Sequence, residues 1–165
     1  MRKTIQLLGP LFLGLSLYCS AVFALLKHGL GMQMVFGALY RMFLYHERHP
    51  YQYITLFCAV FAVVLVWLLG AWPRTRRSPV WALTAWALLL SLVVASALGG
   101  GLWKLHDMQA GYFPQGERFW RDLWWGVEAG LLLGWRVLLA STPFQLLCLP
   151  AFYLASRHAQ RQYQA

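Results

Sequence analysis

Five histidines, three cysteines and two ionisable residues set inside an apolar run are the side chains with chemistry to offer in this 165-residue chain. His46 and His49 form an H-x-x-H pair, His106 is followed by Asp107, and His28 closes the first apolar run. His46, His49, His106 and Asp107 converging from two segments would make a metal centre or a redox site. The pattern is weak, because it lacks the H-E-x-x-H spacing of zinc proteases and stands between Glu47 and Pro50, where interfacial polar residues are expected anyway. A bis-His haem would need His28 and His106 at matching depth on neighbouring helices, and both stand at the ends of apolar runs. No cofactor is expected, and the metal centre is kept as an alternative.

Cys19, Cys58 and Cys148 lie within apolar runs with no base beside them, where a thiol behaves as a small hydrophobic group. Cys19 and Cys58 stand seven residues from the same end of their runs, so they are free to touch. They are expected as free thiols, since apolar burial disfavours the thiolate that oxidation needs. Gly99, Gly100 and Gly101 have no following Lys-Ser/Thr and so do not form a phosphate loop. No catalytic residue is predicted.

Glu128 and Arg136 are costly inside an apolar run, about 2.5 to 3.5 kcal/mol for a central Arg on insertion scales. On a regular helix their separation is about 12 Å along the axis and roughly 80° around it, so a direct pair requires bending. They make a polar route or a partner-binding ion pair, or else Glu128 sits at the interface with Arg136 snorkelling towards it. Between and around them Gly126, Gly130 and Gly134 repeat every fourth residue, and Ser91, Ala95 and Gly99 do the same upstream. Such stripes let helices approach closely in lipid, against each other or against separate partners.

The elements that must carry these residues are membrane helices. A chain that is 60% hydrophobic, 12% charged and carries nine Trp would leave a small soluble domain with apolar surface and nothing to cover it. Four runs, about 5–26, 51–72, 80–103 and 123–155, each exceed the roughly 20 residues needed to cross a bilayer. They must be helices, since an open strand would leave amides unpaired in lipid. The expected fold class is an all-α integral membrane protein, a single domain over 1–165 built as a four-transmembrane-helix bundle. The first run also offers a basic region and a plausible cleavage site at Val22-Phe23-Ala24, but it is too long for a typical signal and reads as a retained anchor.

Charge sets the orientation. Arg2-Lys3, Arg74 to Arg77 and Arg157 to Arg161 carry no carboxylate, whereas Glu47, Asp107, Glu117, Asp122 and Glu128 lie in or beside the other two connections. Basic segments stay on the cytoplasmic side, so both termini are expected there, in the cell membrane. Trp72 and Trp81 flank the inner loop, and Trp103, Trp120, Trp124 and Trp125 mark the outer edge, as an interfacial belt would. Trp67, Trp86 and Trp135 fall inside spans and are expected to pack between helices.

Residues 31–45 are too short to cross, about 22 Å as a helix. With Met32, Val35, Phe36, Leu39 and Phe43 at helical spacing they predict an outer interfacial amphipathic helix. The fourth run would be about 50 Å as one helix, so it must tilt or bend, with Pro143 supplying the bend and Ser141 and Thr142 covering the carbonyls it frees. Glu117 with Arg121, and Arg118 with Asp122, would start that helix outside the membrane.

The net charge of +9 is spread over short connections and forms no stripe, so no nucleic acid is expected. The partners are the lipid bilayer and other membrane subunits or a second copy. The reading is a non-catalytic multi-pass subunit, an accessory or assembly component of a larger membrane or transport complex. The alternatives are a small transporter or channel using Glu128 and Arg136, and an outer-face metal-dependent or redox enzyme.

Overall fold

Proline punctuates the chain, and most helices start or stop at one. The computed structural model describes residues 2–36, 48–112 and 118–164. Helix α1 covers Arg2–Ala24 and runs into a five-residue π turn, Leu25–Gly29. Helix α2, Pro50–Ala71, begins with Pro at its first position, where a missing N–H costs nothing. It stops before Pro73, and a 3-10 turn, Pro73–Arg76, leads to α3, Val80–Gln109. Then come α4, Phe119–Ala129, a second π turn, Gly130–Gly134, the short α5, Trp135–Leu139, and α6, Phe144–Gln164. No strand occurs among the described residues.

Three stretches are long and apolar enough to cross a membrane: Gln6–Gly29, Pro50–Ala71 and Val80–Gln109. The molecule is thus an all-helical bundle with three candidate spans, consistent with a membrane location. The expected fourth span, 123–155, is not one bent helix. Residues 140–143 leave the helix altogether, with a cis peptide between Thr142 and Pro143. The freed groups are closed by a residue beyond the proline: Gln145 Nε2 donates to the Leu139 carbonyl at 2.8 Å and to Thr142 Oγ1 at 2.8 Å. A side-chain amide thus closes the Leu139 carbonyl, the requirement being that backbone polar groups in lipid be satisfied within the protein. Of the interfacial helix expected over 31–45, residues 31–36 are not helical, and Gly31 turns the chain at φ 66°. The remainder lies outside the described residues, as do His46 and Glu117.

Packing follows four-residue stripes. Leu7, Leu11, Leu15, Cys19 and Phe23 on α1 meet Ile54, Cys58, Phe61, Leu65 and Leu69 on α2, and α6 lays Phe144, Cys148 and Phe152 into the same core. Phe36 reaches the core from beyond α1, stacking on Phe23 at 5.4 Å and meeting Phe144 edge-on at 5.6 Å. Trp67 and Trp86, expected between helices, instead face outward, because the inward stripes of α2 and α3 are already filled by smaller side chains.

The basic segments gather at one end. Thr75 Oγ1 caps α2 by donating to the Leu68 carbonyl at 2.9 Å, and Arg76 Nε donates to the Leu69 carbonyl at 2.7 Å. These are the last carbonyls of a helix, which lack partners and favour a nearby cation. Gln160 Nε2 on α6 donates to the Thr75 and Ser78 carbonyls at 3.0 and 2.8 Å, Gln164 donates to the Arg76 carbonyl, and Arg76 lies over the Tyr163 ring. Gln6 of α1 shares a groove with His158 and Gln162, so the start of α1 is at this end too. Tyr18 anchors the antiparallel α1–α6 contact further up, donating to the Leu147 carbonyl at 3.1 Å.

Removing the amide at the break is expected to be costly. Gln145→Leu should lower thermal stability in detergent, by about 1 kcal/mol for each hydrogen bond lost, and Thr142→Val by less. A thermal melt followed by circular dichroism checks this; equal midpoints for Gln145→Leu and wild type would show that the break is closed by other groups.

Candidate functional site

Helix α4 and the π turn after it lie against α3 through backbone rather than side chains. A Cβ built on Gly126 would stand 2.6 Å from Lys104 Cβ and 2.8 Å from the Gly100 carbonyl oxygen. One on Gly100 would stand 2.6 Å from Gly130 Cα and collide with the Gly126 carbonyl oxygen, and one on Gly130 would run into the Ser96 carbonyl oxygen. At Gly134 the approach relaxes to 3.3 Å, from Ser96 Cβ. Only residues without a side chain allow this separation, which gains dispersion and Cα–H···O contacts where hydrophobicity drives nothing. Lys104, 2% exposed, threads its stem along the seam and sets Nζ 5.1 Å from the Trp125 ring centroid.

The Gly126, Gly130, Gly134 stripe therefore faces the chain's own α3, where it meets Ser96, Gly100 and Lys104. The Ser91, Ala95, Gly99 stripe is turned one residue away from it. A Cβ on Gly99 would be 3.8 Å from the Tyr53 ring of α2, and Ser91 Oγ is buried and donates to the Ala87 carbonyl at 2.6 Å. Three consecutive glycines, 99–101, left the register undecided, and the large Lys104 stands at the third position of a spacing whose first two members, Ser96 and Gly100, are small.

Beyond the seam, α4 and α5 present an outward face. Trp120, Trp124, Leu131, Leu132 and Trp135 are exposed on these turns, and so are Glu128 and Arg136. Trp124 Nε1 donates to Glu128 Oε1 at 2.7 Å, and the Arg136 guanidinium lies 5.4 Å from the Trp135 ring centroid. The π turn between them accommodates an extra residue and sets the following helix back by roughly 100°, which reduces their expected 80° divergence to roughly 20°. Glu128 and Arg136 thus share one face, and it points away from the bundle. Neither lines the cavity among α1, α2, α3 and α6 or the groove between α1 and α6.

At the end opposite the basic segments, His49 and His106 come together with ring centroids 4.4 Å apart, and Tyr53 packs edge-on to His106 at 6.1 Å. His28 and His49 border a shallow pocket with Lys27 and Arg48. Among the described residues no three His, Cys, Asp or Glu side chains are grouped so as to hold a metal ion. Asp107 follows His106 on α3, and His46 falls outside those residues.

The three cysteines are all buried, at 2%, 1% and 2% exposure for Cys19, Cys58 and Cys148. The Cys19 thiol lies within hydrogen-bonding reach of both others, and Ser16 Oγ lies beside Cys58. All three border one apolar cavity of about 350 Å³. The contact between Cys19 and Cys58 was legible from their matching depth. Cys148 was not, because its place depends on the break at 140–143.

Compared with known protein families, curated proteins and solved structures, the chain matches none. The fold is an all-helical bundle with three helices long and apolar enough to cross a membrane.

Filling the seam is expected to be costly in stability and harmless to insertion. Gly100→Ala and Gly130→Leu should each lower thermal stability in detergent, by about 1 to 3 kcal/mol as overpacking does, while the protein still reaches the membrane fraction. Gly9→Ala, with nothing within 4 Å of the added Cβ, should change it by less than about 0.5 kcal/mol, as surface substitutions do. Equal melting points for Gly100→Ala and Gly9→Ala would refute the backbone seam.

Proposed function

We propose that this protein is a non-catalytic subunit of a larger membrane assembly, docking through the outward face of α4 and α5. The observation that carries this is the outward exposure of Glu128 and Arg136 beside Trp124, Leu131, Leu132 and Trp135. Ionisable groups within membrane helices normally turn to the bundle interior, a water-filled cavity or one another. Here both turn outward, and Arg136 lies two residues beyond Gly134, which meets Ser96, itself about 10 Å inside the Trp103 end of α3 by helical rise. A partner helix with a carboxylate opposite Arg136 and a cationic or donor group opposite Glu128 would satisfy both.

The same depths argue against a second copy as that partner. In a parallel pair related by a twofold axis along the membrane normal, Glu128 meets Glu128 and Arg136 meets Arg136, since equivalent residues share a depth. Like charges would then be brought together, so the fitting partner is a different chain. Use of Glu128 and Arg136 as a transport route through the bundle receives no support from either cavity, because neither residue lines them. In this reading the basic end, with the 73–79 turn and both helix termini, faces the cytoplasm of a cell membrane, in line with the positive-inside rule.

Arg136→Leu and Glu128→Leu should leave the stability of the isolated bundle within about 0.5 kcal/mol, as expected of exposed sites, and release co-purifying membrane proteins in mild detergent. Retention of the same partners by both variants would remove the basis for this reading. Orientation is checked separately with single cysteines at Thr75 and Gln109 in a cysteine-free background. Impermeant maleimide should label Gln109→Cys from outside intact cells and Thr75→Cys only after permeabilisation; labelling of both from one side would overturn the topology.

A further inference from the structure

All three cysteines of the chain, from three different helices, border the same cavity, with Cys19 placed between the other two. The aromatic rings of Phe57, Phe144 and Phe152 share its wall. At about 350 Å³ it lies in the range of small-molecule sites, which are mostly apolar with a few placed reactive groups. Leu89, Leu139 and Leu149 are also part of the lining and are exposed on the outer surface of the helices, so the cavity opens sideways, where acyl chains would lie. The thiols themselves are free and no more than 2% exposed, beyond the reach of water-borne disulfides.

We propose that this cavity is a site for a lipid-soluble quinone, which oxidises Cys19 together with Cys58 or Cys148 to a disulfide. In that step two S–H bonds break and one S–S bond forms, and two electrons and two protons pass to the two carbonyl oxygens of the quinone, giving one hydroquinone. The acceptor is chosen by the surroundings. Among the described residues no charged base borders the cavity, and a product carrying thiolates in lipid would be costly. A quinone takes the protons along with the electrons and leaves both products neutral. A soft metal cation would instead leave a charged thiolate cluster in the apolar core, and the three sulfurs are not grouped to hold an ion.

Cys19 is the shared member because it alone is placed against both other thiols. Whichever bridge forms, the third thiol remains beside it and can exchange with it. Bridging Cys19 to Cys148 would fasten α6 to α1; bridging it to Cys58 would fasten α2 to α1. The oxidation is stoichiometric, and it is independent of the docking face on α4 and α5.

The test uses the full chain, reduced and then freed of reductant, in lipid nanodiscs without oxygen. The probe is decylubiquinone, whose ring positions are all substituted, so thiols cannot add to it. One quinol per chain should appear by absorbance, two of the three thiols should be lost to alkylation, and mass spectrometry should find Cys19 in every bridge. Cys19→Ser should abolish quinol formation. Leu89→Trp, which narrows the sideways opening, should slow oxidation by the quinone about tenfold or more, since exchange chemistry depends on access, yet leave the thermal melt of the reduced protein unchanged. Three alkylatable thiols after prolonged exposure of folded wild-type protein to the quinone would overturn the proposal, as would an unslowed Leu89→Trp or a quantitative Cys58–Cys148 bridge.

Discussion

The close approach of Gly100, Gly126 and Gly130 is the contact on which the rest of the arrangement depends. In lipid no solvent drives helices together, so a pair stays packed only if its surfaces fit well enough to outcompete acyl chains. Along the seam the fit is backbone to backbone, and a single added Cβ is too much. It holds α4 antiparallel to α3, and that placement decides where the chain must turn. Since α4, the π turn and α5 follow α3 only part of the way towards the basic end, the chain turns there and starts again as α6, which packs against α1, α3 and α2. The unwound residues 140–143 join a stretch held along α3 to a helix shared among three neighbours.

A break of this kind is tolerable only where the protein itself satisfies the exposed backbone, and the chain uses amides and hydroxyls for that task. Gln145 closes the break from the side of α6. At the basic end Thr75, Arg76 and Gln160 close the last carbonyls of α2 and the turn after it. The two sets differ in position but not in logic. Each ties a stretch without helical hydrogen bonds to a neighbouring element, so the cost of unpaired groups is removed and a tertiary contact is made in the same step. Arg76 therefore has a structural task in addition to its place in the basic end.

How much of this was readable from residues alone varies with the range of the interactions involved. The spans at 51–72 and 80–103 appear in the structure with similar boundaries, as α2 and the greater part of α3, because length and apolar content are local properties. The gathering of the basic segments at one end needed only the parity of the helices. The Gly126, Gly130, Gly134 stripe was visible, but the rotation of α3 was not. A slip of one residue, from Gly99 to Gly100, exchanges the neighbour from α2 to α4, and three successive glycines carry no mark to distinguish them. Trp67 and Trp86 were misplaced for a related reason: large aromatic area is buried by lipid as readily as by protein, so size does not predict an inward position here. The continuous fourth span is absent because the chain unwinds at 140–143, between a stretch packed along α3 and a helix packed against α1, α3 and α2, which Pro143 alone does not reveal.

The π turn at Gly130–Gly134 links the seam to the outward face. On a regular helix Gly126 to Gly134 and Glu128 to Arg136, each eight residues apart, would both drift by roughly 80° around the axis, so neither set would keep to one face. Widening the turn at the place where two backbones touch admits one more residue without lengthening the contact, and the glycines that permit the close approach also tolerate the wider turn. Everything after it is set back, so that Arg136 returns to the face of Glu128 while Gly134 still meets Ser96. One local irregularity thus reconciles packing within the chain with the display of two charges outside it. Both depend on the same five residues, so the outward face cannot be shifted without disturbing the seam that holds α4 in place.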